Sequence, residues 1–166
     1  MARKQSLKSG LRHIKILLLD VDGVMTDGGI YYSNSGEELK KFNAQDGYGI
    51  AKLQRAGIII GIITGRSSKI VERRAEELGI KDVYQNFENK LDAYESMKKK
   101  HHCTDAHIAY IGDDEFDLAV LKQAGFSAAP SDAVPVVKKQ VRYVCRRSGG
   151  NGAVREVIDM ILQNQK

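Results

Sequence analysis

Two aspartates, Asp20 and Asp22, directly follow the apolar run 14–19 and are separated by a single residue. In an extended chain, side chains two positions apart point to the same side, so both carboxylates would serve one site. In such a pair, one carboxylate can act as a nucleophile and the other as a general acid and base. Taken alone, however, an Asp-x-Asp triplet after a strand is more often a turn than a catalytic site.

Polar residues occupy comparable positions elsewhere in the chain. Thr64 and Asp113 each directly follow another apolar run, and Lys90 begins a predicted helix that comes after a weaker strand. The carboxyl ends of parallel strands meet at one edge of a sheet, and ligands bind there in open α/β folds. We therefore expect these side chains to converge with Asp20 and Asp22.

The chemistry of this set points to phosphoryl transfer. Carboxylates placed this close repel one another unless a cation is present, and hard oxygen ligands without Cys or His suit Mg²⁺. Thr64 adds a hydroxyl and Lys90 a positive charge, which together suit a phosphate group. The pattern predicts hydrolysis of a phosphate ester through an aspartyl-phosphate on Asp20, with Asp22 moving the leaving-group proton.

The elements that must position these residues alternate between strand-like and helix-like segments. This order predicts an α/β fold, a three-layer Rossmann-like sandwich with a mostly parallel sheet. Residues 29–42 contain two short strand-like runs around an Asn/Ser/Gly turn, which predicts an inserted β-hairpin and no large cap domain. Asp46 and Ser67 are expected to cap the helices that follow them.

Size and composition indicate one globular domain. The chain has 166 residues, of which 42% are hydrophobic and 28% charged. We predict a flexible basic leader at residues 1–13 and a single phosphatase domain at residues 14–166. The net charge of +5 is concentrated in that leader, and no nucleic-acid-binding motif accompanies it.

The expected location is the cytoplasm. No apolar run approaches the roughly 20 residues of a membrane helix, and no signal peptide is visible. The two cysteines, Cys103 and Cys145, are most simply reduced thiols. His101, His102 and Cys103, together with His107, could suggest zinc, but no second Cys pair supports that interpretation. We expect no nucleic-acid or membrane partner.

As a set, these segments resemble the motifs of the haloacid dehalogenase superfamily: Asp20-Val21-Asp22-Gly23, Thr64-Gly65-Arg66, Lys90 and Gly112-Asp113-Asp114-x-x-Asp117. The resemblance is closer to one capless branch, the 3-deoxy-D-manno-octulosonate 8-phosphate phosphatases. That closer match rests on the segments 20–28, 36–40, 46–50, 63–66, 89–90 and 149–156. It covers nearly the whole chain from Ile14 to about Gln165.

The resemblance implies a Mg²⁺-dependent cytoplasmic phosphatase of lipopolysaccharide biosynthesis that acts on a phosphorylated sugar acid. Asp20 would be the nucleophile and Asp22 the acid/base, with Thr64 and Lys90 completing the catalytic set. Asp20, Asp113 and the backbone carbonyl of Asp22 would bind the metal. The substrate-binding positions would be Asp22, Asn43, Ala44, Gln45, Asp46, Gly47, Arg66, Arg74 and Lys90.

The resemblance also implies an assembly. Family members are homotetramers with active sites at subunit interfaces, in which the hairpin helps build the assembly and the glycine-rich tail reaches a neighbour's active site. For this chain, it stays open whether the tail closes its own active site or a neighbour's.

Two other functions remain open. One is a phosphatase of sialic-type 9-phosphate sugars, which a comparison of kcat/KM on eight- and nine-carbon substrates would distinguish. The other is a non-catalytic tetramerisation module, related to the domain attached to some acylneuraminate cytidylyltransferases. Retained assembly without activity would favour that module, whereas the intact carboxylates and Lys90 argue against it.

Overall fold

The structure, a computed structural model, describes residues 10–165 and is built around a β-sheet. The strands are β1 (Ile16–Leu19), β2 (Tyr31–Tyr32), β3 (Glu38–Leu39), β4 (Ile59–Ile63), β5 (Asp82–Tyr84), β6 (Ile108–Ile111), β7 (Phe126–Ala129) and β8 (Tyr143–Val144). The α-helices are α1 (Ala44–Arg55), α2 (Lys69–Glu77), α3 (Lys90–Lys100), α4 (Leu118–Gln123), α5 (Pro135–Gln140) and α6 (Ala153–Asn164).

Six strands form the main sheet in the order β5-β4-β1-β6-β7-β8. Every neighbouring pair is parallel, so the predicted, mostly parallel sheet is confirmed. The chain runs outward from β1 through β4 to β5 and then returns to the other side of β1 at β6. This reversal creates a topological switch point between β1 and β6, where open α/β sheets bind their ligands.

Helices cover both faces of the sheet because β1 is apolar on both sides. Leu17 and Leu19 are buried in one core cluster with residues of α1, α2 and α6. Ile16 and Leu18 are buried in a second cluster with residues of α3, α4 and α5. All four side chains are fully buried, as expected for the central strand of a parallel sheet. The predicted three-layer architecture is therefore confirmed.

The predicted hairpin is present between β1 and α1, but it is short. β2 and β3 have two residues each and pair antiparallel, with an isolated bridge from Thr26 to Phe42 at the base. No large cap is inserted among the described residues, in agreement with the prediction. The hairpin therefore lies directly beside the turn that contains Asp20 and Asp22.

Two predicted helix caps are wrong. Asn43, not Asp46, caps α1, because its side chain accepts hydrogen bonds from the backbone N–H groups of Gln45 and Asp46. Helix α1 thus begins before Asp46, whose carboxylate instead accepts a hydrogen bond from the Arg155 backbone N–H at 2.7 Å. Helix α2 follows Ser68 rather than Ser67, and the Ser68 side chain makes no capping hydrogen bond.

The predicted leader is too long at its C-terminal end. Residues 1–9 lie outside the described residues, but Leu11 is only 1% exposed and belongs to the core. The Gln165 side chain donates hydrogen bonds to the carbonyl oxygens of Leu11 and Ile14, at 3.2 and 2.8 Å. The sequence-based boundary was misplaced because Leu11 is a single apolar residue in a basic segment, yet its side chain packs into the core. Across residues 10–165, the helices are too short or too polar to span a bilayer.

Candidate active site

The turn after β1 and the loop after β6 meet at the switch point. The backbone N–H of Asp20 donates to the carbonyl oxygen of Ile111 at 3.0 Å, which joins the ends of the two strands. Gly23 has φ +87°, and a Cβ there would lie 2.1 Å from Oδ2 of Asp113. The close approach and the positive φ both require glycine, so this residue allows the two acidic segments to pack together.

Three carboxylates form the centre of the site. Oxygen atoms of Asp20, Asp113 and Asp117 all lie within 4.8 Å of one another. The Lys90 ammonium lies 2.9 Å from Oδ1 of Asp20 and 2.7 Å from Oδ1 of Asp117. Lys90 reaches this position because it is the first residue of α3, after the N-cap Asn89. The expected convergence of Asp20, Asp113 and Lys90 at one sheet edge is confirmed.

A cavity of about 610 Å³ opens onto this cluster. All four predicted catalytic residues line it, namely Asp20, Asp22, the buried Thr64 and Lys90, together with the predicted substrate contact Arg66. The lining residues are Asp20, Asp22, Thr64, Gly65, Arg66, Phe87, Glu88, Lys90, Asp113, Asp114, Phe116 and Asp117. A concave site with a few convergent charged groups is typical of an active site.

Asp117 was not among the predicted site residues, yet it organises the loop after β6. The side chain is fully buried. Oδ1 accepts hydrogen bonds from Lys90 and from the Tyr110 hydroxyl, whereas Oδ2 accepts from the backbone N–H groups of Asp113 and Asp114. Through these hydrogen bonds, the Asp117 carboxylate positions the Lys90 ammonium and the backbone of Asp113. Its spacing of three residues from Asp114, typical of a capping box, was the available sequence signal.

The carboxylate of Asp22 faces a different set of partners from that of Asp20. Its Oδ1 accepts a hydrogen bond from the Lys40 ammonium, and its Oδ2 lies 3.9 Å from the Arg66 guanidinium. Lys40 comes from the hairpin, 18 residues along the chain. Sequence reasoning missed it as a functional residue, because no local pattern connects it with Asp22.

The other predicted substrate-binding residues do not line this cavity. Gln45 instead lines a second cavity of about 590 Å³, with Arg146, Arg147 and Arg155 among its walls. Ala44, Asp46 and Gly47 lie in the first turn of α1 after Asn43, whose side chain donates to the carbonyl oxygen of Gly150. Arg74 packs over the Phe42 ring, near Gly47. Their substrate-binding role remains a prediction.

The glycine-rich loop of this same chain packs against the Asp20 turn. The backbone N–H of Gly150 donates to the carbonyl oxygen of Val24 at 3.0 Å. A Cβ on Gly149 would lie 1.9 Å from the carbonyl oxygen of Gly23, so the two backbones touch. This loop therefore supports the active-site turn of its own chain through backbone contacts with Gly23 and Val24.

Burial shifts the ionisation of the central groups. Burial, together with the charge of Asp117, raises the pKa of Asp20 from 3.8 to about 7. Burial and the charge of Asp20 raise the pKa of Asp113 from 3.8 to about 8. For Lys90, burial alone would lower the pKa, but the charges of Asp20 and Asp117 outweigh it and raise the pKa. Lys90 is therefore a cation, but its charge does not cancel the effect of burial and of the neighbouring carboxylates, so the pKa values of Asp20 and Asp113 remain raised.

The donor set fits a divalent cation. Oδ1 of Asp113 is buried and has no hydrogen-bond partner, although a buried acceptor is ordinarily paired. The cluster contains carboxylates only, which suits Mg²⁺ rather than a softer metal. Among residues 10–165, neither the histidines at 101 and 102 nor Cys103 joins a potential metal-binding cluster. The structure thus gives no support for the zinc interpretation.

These pKa shifts predict how pH affects the metal-free protein. Asp20 and Asp113 have a pKa of 3.8 when unfolded but about 7 and 8 when folded. Between these values the folded state binds more protons than the unfolded state, so the free energy of unfolding falls as pH rises. We expect urea unfolding with EDTA to show this decrease from about pH 5 to pH 8.

Added Mg²⁺ should bind more tightly, and stabilise the protein more, at pH 8 than at pH 6. Binding requires deprotonated carboxylates, and a ligand of the folded state shifts the unfolding equilibrium. Calorimetric titration at the two pH values measures the affinity directly. A metal affinity that is the same at both would contradict the assignment of raised pKa values to this cluster.

Comparison with known proteins first places the chain in a class. The family model of haloacid dehalogenase-like hydrolases matches residues 79–158. A 3-deoxy-D-manno-octulosonate 8-phosphate phosphatase of Yersinia pestis is 50% identical over 153 residues, which cover 92% of this chain and 82% of that protein. The chain therefore belongs to the 3-deoxy-D-manno-octulosonate 8-phosphate phosphatase family.

Solved structures of this family share the fold. The crystal structure of the phosphatase from Yersinia pestis is similar with a TM-score of 0.95 and 48% identity, covering 96% of this chain and 86% of that chain. A phosphatase from Moraxella catarrhalis, crystallised with magnesium, phosphate and 3-deoxy-D-manno-octulosonate (KDO), gives a TM-score of 0.95 at 43% identity. That match covers 97% of this chain and 92% of the other.

Proposed function

We propose that this protein hydrolyses 3-deoxy-D-manno-octulosonate 8-phosphate to the free sugar acid and phosphate, in a Mg²⁺-dependent reaction. The observation that carries the proposal is the buried cluster of Asp20, Asp113 and Lys90 at the β1/β6 switch point. It occurs in a chain that is 50% identical to a phosphatase named for this substrate. The reaction would take place in the cytoplasm as part of lipopolysaccharide biosynthesis.

In the first step, Asp20 attacks phosphorus in line and forms an aspartyl-phosphate, while the bond from phosphorus to the sugar oxygen breaks. Asp22, on the same cavity, donates a proton to the departing sugar oxygen. In the second step, Asp22 takes a proton from the attacking water, and the water displaces Asp20 from phosphorus. Both aspartates are then back in their initial states, so the cycle is balanced.

Three other groups support these steps. Lys90 fixes one oxygen of Asp20 and adds positive charge beside the phosphoryl group. Thr64 lines the cavity at the end of β4, where its hydroxyl can donate to a phosphate oxygen. Bound Mg²⁺ would be held by Asp20, Asp113 and the backbone carbonyl of Asp22, and would supply electrostatic stabilisation of the phosphoryl oxygens.

The remaining substrate contacts would come from Arg66 in the cavity and from residues outside it. We place Asn43, Ala44, Gln45, Asp46, Gly47 and Arg74 in substrate binding on the strength of the family resemblance. Within one chain they are separate from the cavity lining, which is consistent with active sites completed at subunit interfaces. An active site shared between subunits would use them from a neighbouring copy.

We also infer a homotetramer. Apolar residues on the hairpin point to an interface: Ile30, Tyr31, Tyr32 and Leu39 are between 46% and 67% exposed. Clusters of exposed apolar side chains generally mark interaction sites. Light scattering coupled to size-exclusion chromatography would give the mass, and a monomer at micromolar concentration would refute the assembly.

The test of the function is phosphate release from a panel of sugar phosphates, with Mg²⁺ and with EDTA. We expect the highest kcat/KM on 3-deoxy-D-manno-octulosonate 8-phosphate, and no turnover without metal. A higher kcat/KM on a nine-carbon sialic-type 9-phosphate would favour the alternative substrate. Absence of activity on every substrate, with assembly retained, would favour the non-catalytic module.

A further inference from the structure

Lys40 is an unusual residue because its charged side chain is almost completely buried. It directly follows β3 of the hairpin, and its side chain is only 1% exposed. Buried lysines are rare unless they are paired with an acidic group, because removal of the ammonium from water is costly. The partners of Lys40 are Asp22, through Oδ1, and Glu38, whose Oε1 lies 3.5 Å from the ammonium.

These residues belong to a ring of alternating charges. Arg66 closes the ring, because it lies 2.7 Å from Oε1 of Glu38 and 3.9 Å from Oδ2 of Asp22. Asp22 and Arg66 line the catalytic cavity, whereas Lys40 and Glu38 do not. Lys40 therefore contacts Asp22 from the hairpin side and leaves the cavity side of the carboxylate accessible.

Contacts other than the ion pair between Lys40 and Asp22 also stabilise the hairpin. β2 and β3 pair with each other, and Thr26 bridges to Phe42. Glu38 also bonds Arg66 independently of Lys40. The hairpin thus has pairing contacts that do not involve Lys40, and the specific consequence of the ion pair between Lys40 and Asp22 is to fix one oxygen of Asp22.

We propose that Lys40 is a positioning residue that orients the Asp22 carboxylate for proton transfer to the departing sugar oxygen. The inference rests on the proposed function. General acid catalysis requires the acid within hydrogen-bond reach of the leaving atom, and a small displacement removes much of its benefit. Lys40 does not touch the substrate. Instead, it restricts the rotation of the Asp22 side chain, which contacts the substrate in the proposed mechanism.

The test compares two substrates that differ in their need for a proton. A sugar phosphate expels a poor alkoxide leaving group, which requires protonation, whereas p-nitrophenyl phosphate expels a stable phenolate without it. In Lys40→Met, we expect kcat on the sugar 8-phosphate to fall by about tenfold to a hundredfold. This is at or below the lower limit of the roughly 10²–10⁴-fold that general acid catalysis contributes, because the acid itself is retained. The decrease on p-nitrophenyl phosphate should be at least several-fold smaller, and KM for the two substrates should change little.

Two variants complete the experiment. Lys41→Met removes the neighbouring lysine, whose side chain is 55% exposed, and should leave both activities near wild type. Lys40→Arg retains the charge and should recover part of the lost kcat on the sugar phosphate. If Lys40→Met does not give a cooperative melting transition, the ratio of the two activities in Lys40→Arg serves as the test.

The outcomes separate this inference from the function on which it rests. Equal losses on both substrates, or no loss on either, would overturn the positioning role and leave the phosphatase assignment intact. A rise in activity would also overturn it, since Lys40 would then hold Asp22 in an inactive orientation. Wild-type protein that is inactive on both substrates would refute the proposed function itself.

Discussion

Replacement of Asp20 by asparagine is expected to abolish phosphate release, with kcat reduced by at least about 10⁴-fold, the scale seen when a catalytic nucleophile is removed. The amide is nearly the same size as the carboxylate but cannot form the aspartyl-phosphate. Asp20→Asn should remain folded, because it removes a buried carboxylate whose pKa is already raised by burial. Mg²⁺-dependent phosphate release over long incubations measures the residual activity.

A matched control is Asp92→Asn, which makes the same chemical change at an exposed position in the first turn of α3. It should keep wild-type activity. If Asp20→Asn retained activity within about tenfold of wild type, a covalent route through Asp20 would be excluded. Both variants should be compared at the same Mg²⁺ concentration, since Asp20 is also a proposed metal ligand.

The second large effect concerns stability. Asp117→Ala should lower the free energy of unfolding by about 3–5 kcal/mol, the range for loss of one partner of a buried ion pair. The substitution leaves the Tyr110 hydroxyl and two backbone N–H groups without their acceptor, and Lys90 with only Asp20. Urea unfolding in EDTA gives the value without a contribution from metal binding.

Asp92→Ala again provides the control, because an exposed carboxylate contributes little to stability. The free energy of unfolding of this variant should fall by no more than about 1 kcal/mol. Activity should also fall in Asp117→Ala, since Asp113 loses the contact that orders its backbone. A destabilisation of Asp117→Ala below about 1 kcal/mol would show that water replaces the missing carboxylate, and that Asp117 does not organise the loop.

The parts of the site that could be predicted are those attached to the ends of regular elements. Asp20 directly follows β1, Asp113 is the second residue after β6, and Lys90 begins α3. Parallel strands bring their carboxyl ends to one edge whatever the detailed packing, so the convergence of these three residues follows from the order of elements alone. The same logic predicted the three layers, because apolar runs that are hydrophobic on both faces must be covered on both sides.

Contacts made across the fold could not be predicted in this way. The pairing of Lys40 with Asp22 depends on how the hairpin folds back onto the turn, and the boundary at Leu11 depends on which side chains fill the core. The cap of α1 was misplaced because Asn43 and Asp46 are both good capping residues. The tertiary structure distinguishes them, because the Asp46 carboxylate accepts a hydrogen bond from the backbone N–H of Arg155 instead of capping the helix.

By itself, then, the sequence determined the α/β class, the acidic and basic groups of the site and the edge at which they meet, because periodicity and residue type are local properties. Tertiary structure decided which carboxylate each cation holds, how far burial raises the pKa of Asp20 and Asp113, and that Gly149 packs on Gly23. These features depend on distances between segments remote in sequence and on the exclusion of water, which no local pattern encodes.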